Sequence, residues 1–264
     1  MKIFVVPYRN RPAQLRVFLS HMKYLLEDLE ESEYRIYIVN QADSRPFNRG
    51  GMRNLGFLEA KKDFPETYKD IDFIFHDLDN LVGKKNVVEF TTQKGEINHI
   101  FGNYMCDNIG GIFVIKGEDY EKIDGYPNLW GWGYEDTIIG RRCLENGIKV
   151  IQKGFNWDSS EVVHLDYSNS IPATKKNLNS FNKQIWKQKM SNKQKINDGL
   201  HTLRGIDIDN VEKSISIRIL HVKKFLCNIS EKAYKPNLTW ILSENFSEFL
   251  KKYVMRGDFK VWLR

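Results

Sequence analysis

Residues 71–75, Ile-Asp-Phe-Ile-Phe, form an apolar run of strand length that passes directly into His76-Asp77-Leu78-Asp79-Asn80. A strand of this kind is buried, and it delivers two alternate carboxylates at its mouth. Buried acids without partners are costly, so packing alone does not account for the pair. An oxygen-rich Asp-x-Asp at a strand end suits a hard cation, Mg²⁺ or Mn²⁺, shared with a diphosphate. The plainer alternative is an Asx-rich turn in solvent.

The elements around this strand set its context. Residues 2–6, Lys-Ile-Phe-Val-Val, read as a buried strand that stops at Pro7, and residues 34–39 alternate like a second strand. Between them Leu15, Phe18, Met22, Leu25 and Leu29 recur at threes and fours after Pro12, which predicts a helix with one apolar stripe. A further helix carries Met52, Leu55 and Leu58. Strand, helix, strand implies an α/β layer whose ligands lie at the C-terminal strand edge, where Arg9 and Arg11 would sit. Phe47-Asn48-Arg49-Gly50-Gly51 sets a flat ring and a guanidinium beside glycines, a set suited to a base and its phosphates.

Downstream, residues 109–116 read as a strand with Gly110 and Gly111 where a ligand or backbone comes close. The stretch Gly131-Trp132-Gly133-Tyr134-Glu135-Asp136-Thr137 then joins an indole to two carboxylates at a helix start. An aromatic face beside acids suits a sugar, whose C–H side packs on the ring while a carboxylate accepts a hydroxyl proton. Successive residues at a helix start point about 100° apart, so Glu135 and Asp136 are not both expected to aim at one acceptor oxygen. The helix with Ile138, Ile139 and Leu144 should end near Gly147, and residues 148–152 form another strand. If Val162–Asp166 is extended, His164 and Asp166 share one side, which is ligand geometry. Residues 174–196 read as a basic helix, followed by strand-like segments at 200–204 and 214–222.

With 264 residues, 41% hydrophobic and 28% charged, the chain has the composition of a soluble globular protein with one large domain, residues 1–224, and a basic amphipathic extension, residues 225–264. No apolar run reaches membrane-spanning length and no secretory leader precedes Lys2, so a cytoplasmic location is expected. The three cysteines Cys106, Cys143 and Cys227 have neither disulfide nor zinc spacing. The net charge of +6 is concentrated in the C-terminal third. That third could meet a phosphorylated ligand, an acidic glycan, an anionic membrane or nucleic acid, or be a solvated face. The tail could cover the domain, self-associate or lie on a membrane surface.

Taken together, Pro7-Tyr8-Arg9-Asn10-Arg11, Phe47-Asn48-Arg49, Asp77-Leu78-Asp79, Gly110-Gly111, Trp130-Gly131-Trp132-Gly133-Tyr134-Glu135-Asp136 and His164-Leu165-Asp166 resemble the β-1,4-galactosyltransferase family of inverting, Mn²⁺-dependent glycosyltransferases. The resemblance covers roughly residues 1–222. It implies a GT-A type nucleotide-sugar transferase fold, a mixed α/β sheet flanked by helices with a C-terminal helical extension. It also implies a UDP-sugar donor, normally UDP-galactose with UDP-GalNAc or UDP-Glc as alternatives, and a glycan or glycoside acceptor, with no nucleic-acid partner. Pro7, Arg9, Arg11, Phe47 and Arg49 would hold the uridine and diphosphate, and Asp77 the ribose side. Trp132 would contact both sugars, Gly133 and Glu135 the acceptor, and Asp136 would be the catalytic base. The metal, Mn²⁺ or Mg²⁺, would take Asp79, His164 and Asp166; the family's His-x-His reads His-x-Asp here, a harder and more anionic set. A metal-dependent nucleotidyltransferase or phosphohydrolase would share Asp77, Asp79 and His164 but leave the Trp-rich acidic stretch unexplained.

Overall fold

The computed structural model describes residues 1–102, 108–131, 133–156, 158–165 and 196–231. In chain order these form β1 (Lys2–Tyr8), α1 (Pro12–Leu25), β2 (Tyr34–Gln41), α2 (Arg49–Asp63), β3 (Asp72–His76), β4 (Asn80–Val82), β5 (Glu96–Gly102), β6 (Ile112–Lys116), α3 (Gly117–Lys122), α4 (Glu135–Glu145), β7 (Lys149–Asn156), β8 (Val162–His164), β9 (Arg204–Lys213) and β10 (Ile217–Leu226). Eight strands make one sheet in the order β7-β5-β6-β3-β1-β2-β10-β9, and β4 pairs with β8 in a separate ribbon. The strands β3, β1, β2 and β10 run parallel, while β6 is antiparallel to both β3 and β5, so the sheet is mixed.

Alternation in the central strands sorts side chains to two faces. Val5, Val39, Phe73 and Phe75 join Met52, Leu55 and Phe57 of α2 and Ile138 and Ile139 of α4 on one side. Phe4, Val6, Ile36, Ile38 and Ile74 pack on Phe18 and Met22 of α1 on the other. Both layers are needed because a parallel sheet buries both faces.

Several boundaries differ from the sequence reading. β1 continues through Pro7 to Tyr8, because its pairing with β3 ends at Val5 while its pairing with β2 runs to Tyr8; Pro7 has no N–H to give, and none is required on the vacated side. The strand expected at 109–116 begins only at Ile112, since the backbone N–H of Ile109 donates instead to the carbonyl of Asp136 (3.0 Å). Leu200–Thr202 is a single 3-10 turn rather than strand. The last strand crosses the 224/225 boundary expected for the tail: β10 ends at Leu226, and Phe225 is fully buried in the core. The helix expected at 174–196 and the remainder of the tail, residues 232–264, lie outside the described residues.

Candidate active site

Three chain segments reach one edge of the sheet, at the C-terminal ends of β1, β2 and β3. From β2 the chain enters α2 through Asn48, whose side chain accepts from the Gly51 N–H (2.7 Å) and donates to the carbonyl of Asn128 (3.0 Å). This cap fixes the start of α2 at the sheet edge and sets Arg49 and Arg53, one turn apart, on one helix face. β3 brings Asp77 to the same place, and the backbone N–H of Asp77 donates to the carbonyl of Gly111 (3.1 Å). Opposite, α4 starts at Glu135 after a loop in which Gly131, Gly133 and Tyr134 all have positive φ (76°, 117° and 70°). Glycine takes such angles freely, whereas Tyr134 is held there at a cost, a pattern that clusters at functional sites. The loop is tied back to the arginine motif by the Gly131 N–H, which donates to the carbonyl of Phe47 (2.9 Å).

These segments assemble two guanidinia and three carboxylates. Arg49 Nη1 donates to Asp77 Oδ2 (3.1 Å), Arg49 Nη2 to Glu135 Oε1 (2.7 Å), and the same Nη2 also to Asp136 Oδ2. Arg53 Nη2 donates to Asp77 Oδ1 (2.5 Å) and its Nη1 to Asp136 Oδ1 (3.1 Å) and to the Tyr126 hydroxyl (2.6 Å). Glu135 and Asp136 therefore meet at one arginine nitrogen. The longer glutamate chain curls back, so that Oε2 accepts from the Gly133 N–H (2.9 Å) and Oε1 is left facing Arg49. Asp136 is the more accessible of the two, 16% exposed against 3% for Glu135. It also lies hard against Gly110, where a Cβ would come within 2.8 Å of Asp136 Oδ2.

The electrostatics follow from burial set against these pairings. Burial would lift the Asp77 carboxyl, but Arg49 and Arg53 outweigh it and hold it below the ordinary range. Burial, reinforced by the Asp136 charge, raises Glu135 in spite of Arg49. The Tyr126 phenol is pushed far up by burial and stays protonated, accepting from Arg53 and donating to the Ile109 carbonyl (3.1 Å).

The expected metal ligands sit on the β4–β8 ribbon. Asn80 pairs with His164, and the Leu165 N–H donates to the Asp79 carbonyl (2.8 Å), so Asp79 and His164 are diagonal neighbours across the ribbon. Asn80 Oδ1 accepts from His164 Nδ1–H (2.9 Å), which leaves the lone pair on Nε2, the tautomer a metal ligand needs. Burial and the neighbouring Asp77 raise Asp79, while Arg11 pairs with it at 2.7 Å. A carboxylate beside an imidazole whose Nδ1 is engaged by Asn80 offers an oxygen and a nitrogen donor, a pair that fits a borderline-hard divalent cation. Among the described residues no three His, Cys, Asp or Glu side chains converge as a metal cluster; Asp166, the expected third ligand, and Trp132 lie outside them.

Of the other expected donor contacts, Pro7 is buried in β1 and Phe47 is half-buried against the core. The Arg9 guanidinium is committed to the backbone carbonyls of Arg45 and Asp43 (the latter 3.1 Å) at the end of β2. Arg53 and Tyr126 were not anticipated; the Arg49-x-x-x-Arg53 spacing is the one sequence signal that could have found the arginine.

His76, next to the cluster, gives a pH prediction. It is fully buried, with Nδ1–H donating to the Asp77 carbonyl (2.8 Å), its ring edge-on to Phe18 (centroids 5.2 Å), and Nε2 without a partner among the described residues. Burial pushes its pKa from 6.5 down to about 4. The unfolded chain takes up this proton as pH falls below 6.5 while the native protein refuses it until about 4, so stability declines across that window, by about 3 kcal/mol from this group. Urea unfolding at pH 7 and pH 4.5 checks it: the loss between the two should be smaller in His76→Asn, and an identical loss in both proteins would contradict it.

A mixed sheet carrying Asp-x-Asp at one strand end, faced by a Glu-Asp helix start, is the arrangement of the GT-A nucleotide-sugar transferase fold. The chain superposes on a Drosophila β-1,4-galactosyltransferase 7 variant, solved in complex with manganese, UDP-Gal and xylobiose, with a TM-score of 0.63 and 21% identity over 84% of this chain and 93% of that one. Residues 2–89 match the N-terminal region of glycosyl transferase group 7, and residues 96–165 match the N-terminal domain of galactosyltransferase. The two models together cover more than half of the chain, which belongs to glycosyl transferase group 7. Mouse β-1,4-galactosyltransferase 1 is 29% identical over 153 residues, 55% of this chain and 37% of that enzyme. Mouse β-1,4-galactosyltransferase 5 is 32% identical over 154 residues, 55% of this chain and 38% of that enzyme. The matched stretch thus spans less than two-fifths of these relatives. No helix among the described residues is long and apolar enough to cross a membrane.

Proposed function

We propose that this protein transfers galactose from UDP-galactose to a sugar hydroxyl with inversion at the anomeric carbon, forming a β linkage. The observation that carries the reading is the junction of the donor-side strand end with the acid helix start: Asp77 and Asp136 share both Arg49 and Arg53. A base joined in this way to the donor side lies within reach of the bond that must form. In this reading Asp136 accepts the proton from the acceptor hydroxyl as that oxygen attacks the anomeric carbon. Arg11 and Arg49 turn toward the diphosphate, Phe47 packs on the uracil, Asp77 takes the ribose side, and Trp132, Gly133 and Glu135 orient the sugars.

Asp79 and His164, with Asp166, would hold Mn²⁺ or Mg²⁺, which when bound neutralises charge on the leaving diphosphate. Support comes from the family membership and from the galactosyltransferase 7 neighbour, whose complex holds manganese, UDP-Gal and xylobiose. The test of the reading is UDP release from UDP-galactose, with and without a panel of glycoside acceptors that includes xylobiose; release should depend on acceptor. UMP and galactose 1-phosphate in place of UDP would favour a phosphohydrolase.

The metal assignment makes its own prediction. Mn²⁺ should tighten UDP binding by calorimetry, EDTA should reverse the gain, and Asp79→Asn should remove it. UDP affinity indifferent to both metal and substitution would contradict the Asp-x-Asp assignment.

A further inference from the structure

We infer that Arg53 is a positioning residue that holds the Asp136 carboxylate aligned for the acceptor while Arg49 turns to the donor diphosphate. The inference rests on the proposed function and takes it one step further, to the division of labour between the two arginines. They differ in one respect that matters. The Arg49 side chain is 17% exposed and faces the carboxylates from the open side, whereas the Arg53 side chain is fully buried. Arg53 is gripped by four groups: Asp77 Oδ1, Asp136 Oδ1, the Tyr126 hydroxyl, and the Tyr126 ring, whose centroid lies 4.7 Å from the guanidinium carbon.

When Arg49 leaves for an anionic ligand, Asp136 Oδ2 loses its partner. With Glu135 beside it, the carboxylate would then be free to swing out of the line of attack, and a misplacement of about 1 Å is enough to cost much of the rate. Arg53 prevents that, since its bond is to the other oxygen, Oδ1, and its side chain is enclosed where no ligand reaches it. Oδ2, the oxygen that Arg49 vacates, is the one left to face the acceptor. The groups facing Asp136 are Arg49 and Arg53 from α2, Glu135 from α4, Tyr126 from the loop before α4, and more distantly His99 from β5.

Stability does not explain the arginine. A buried ionic cluster gains little over apolar packing. Arg53 Nε, moreover, has no partner among the described residues, a cost an apolar side chain on this helix would not incur.

The test uses the full-length protein with Mn²⁺, UDP-galactose and the acceptor that supports the fastest transfer by wild type. Arg53→Lys keeps one positive charge but cannot span both carboxylates, and Arg53→Met removes the charge. Both should retain UDP affinity by calorimetry while kcat falls, about 10-fold for Arg53→Lys and 10²-fold or more for Arg53→Met. A merely structural arginine would not separate kcat from UDP affinity in this way, and the conservative Arg53→Lys would not recover part of the loss. Should the Arg53 variants fail to fold, Tyr126→Phe decides: loss of the hydroxyl that fixes Arg53 Nη1 should lower kcat several-fold at unchanged UDP affinity. Near-wild-type kcat in the folded Arg53 variants, or in Tyr126→Phe, overturns the inference. Absence of transfer by wild type would instead sink the galactosyltransferase reading itself.

Discussion

Asp136→Asn is expected to lower kcat by about 10²- to 10⁴-fold while leaving UDP affinity and its dependence on Mn²⁺ intact. An acceptor hydroxyl has a pKa far above neutrality, so its proton must leave as the new bond forms, and only a positioned base takes it at that moment. Asparagine keeps the shape of the side chain, and its Oδ1 can still accept from Arg53, so the cluster is disturbed little. What disappears is basicity. Glu135 is the adjacent rival, yet its two oxygens are held by Arg49 and the Gly133 N–H, and it is only 3% exposed. Glu135→Gln should therefore weaken acceptor binding and loosen the start of α4 as well as slow the reaction. The two variants are compared by steady-state kinetics and calorimetry under one set of conditions. Near-wild-type transfer by a folded Asp136→Asn protein would move the base to Glu135.

Phe225→Ala carries the largest expected cost in stability. The ring is fully buried and stacked on Trp130 at 5.2 Å between centroids, with planes 16° apart. The Arg45 guanidinium carbon lies over both, 4.5 Å from the Trp130 centroid and 4.6 Å from that of Phe225. Arg45 Nη1 also donates to the Phe225 carbonyl (2.8 Å), and Trp130 Nε1 to the Ile229 carbonyl (2.7 Å). Truncating such a side chain leaves a cavity beside an unsupported indole, at about 3–5 kcal/mol, and Arg45 loses one of its two aromatic faces as well. Urea unfolding monitored by tryptophan fluorescence reads the loss. A change below about 1 kcal/mol, or a chain cut after residue 224 that keeps native stability, would show that Phe225 belongs to an appendage.

The same residue shows where reading the sequence reaches its limit. Residues beyond Lys224 change in composition, and a tail beginning at 225 is the natural inference; only the pairing of β10 with β2 and β9 reveals that the strand continues. The first five elements are legible from their apolar residues, which form continuous runs in β1 and β3, alternate in β2 and recur at threes and fours in α1 and α2. β5 was not legible. Asn98 and His99 break its apolar pattern, and both are buried with tertiary partners for part of their polar atoms: the Asn98 amide nitrogen donates to the carbonyls of Glu89 (2.9 Å) and Thr91 (3.2 Å), and His99 Nε2 pairs with the Gly110 carbonyl (2.9 Å), while Asn98 Oδ1 has no hydrogen-bond partner among the described residues.

In the site, motif residues such as Asp77, Asp79, Glu135 and Asp136 were found because acids at a strand mouth or helix start are conspicuous. Arg53 was hidden in a helix interior, where an arginine ordinarily points to solvent. It is buried here because α2 lies over the sheet edge at which Asp77 and Asp136 meet, a coincidence of three segments that no local pattern encodes.

Inverting galactosyl transfer is tested most directly by the anomeric configuration of the product. The protein is incubated with Mn²⁺, UDP-α-galactose and the acceptor panel, and the purified disaccharide product is examined by proton NMR for its anomeric coupling. A β-linked galactoside, absent when Asp136→Asn replaces wild type, is the predicted result. An α-linked product, or UDP and free sugar as the sole products with every acceptor, would contradict it.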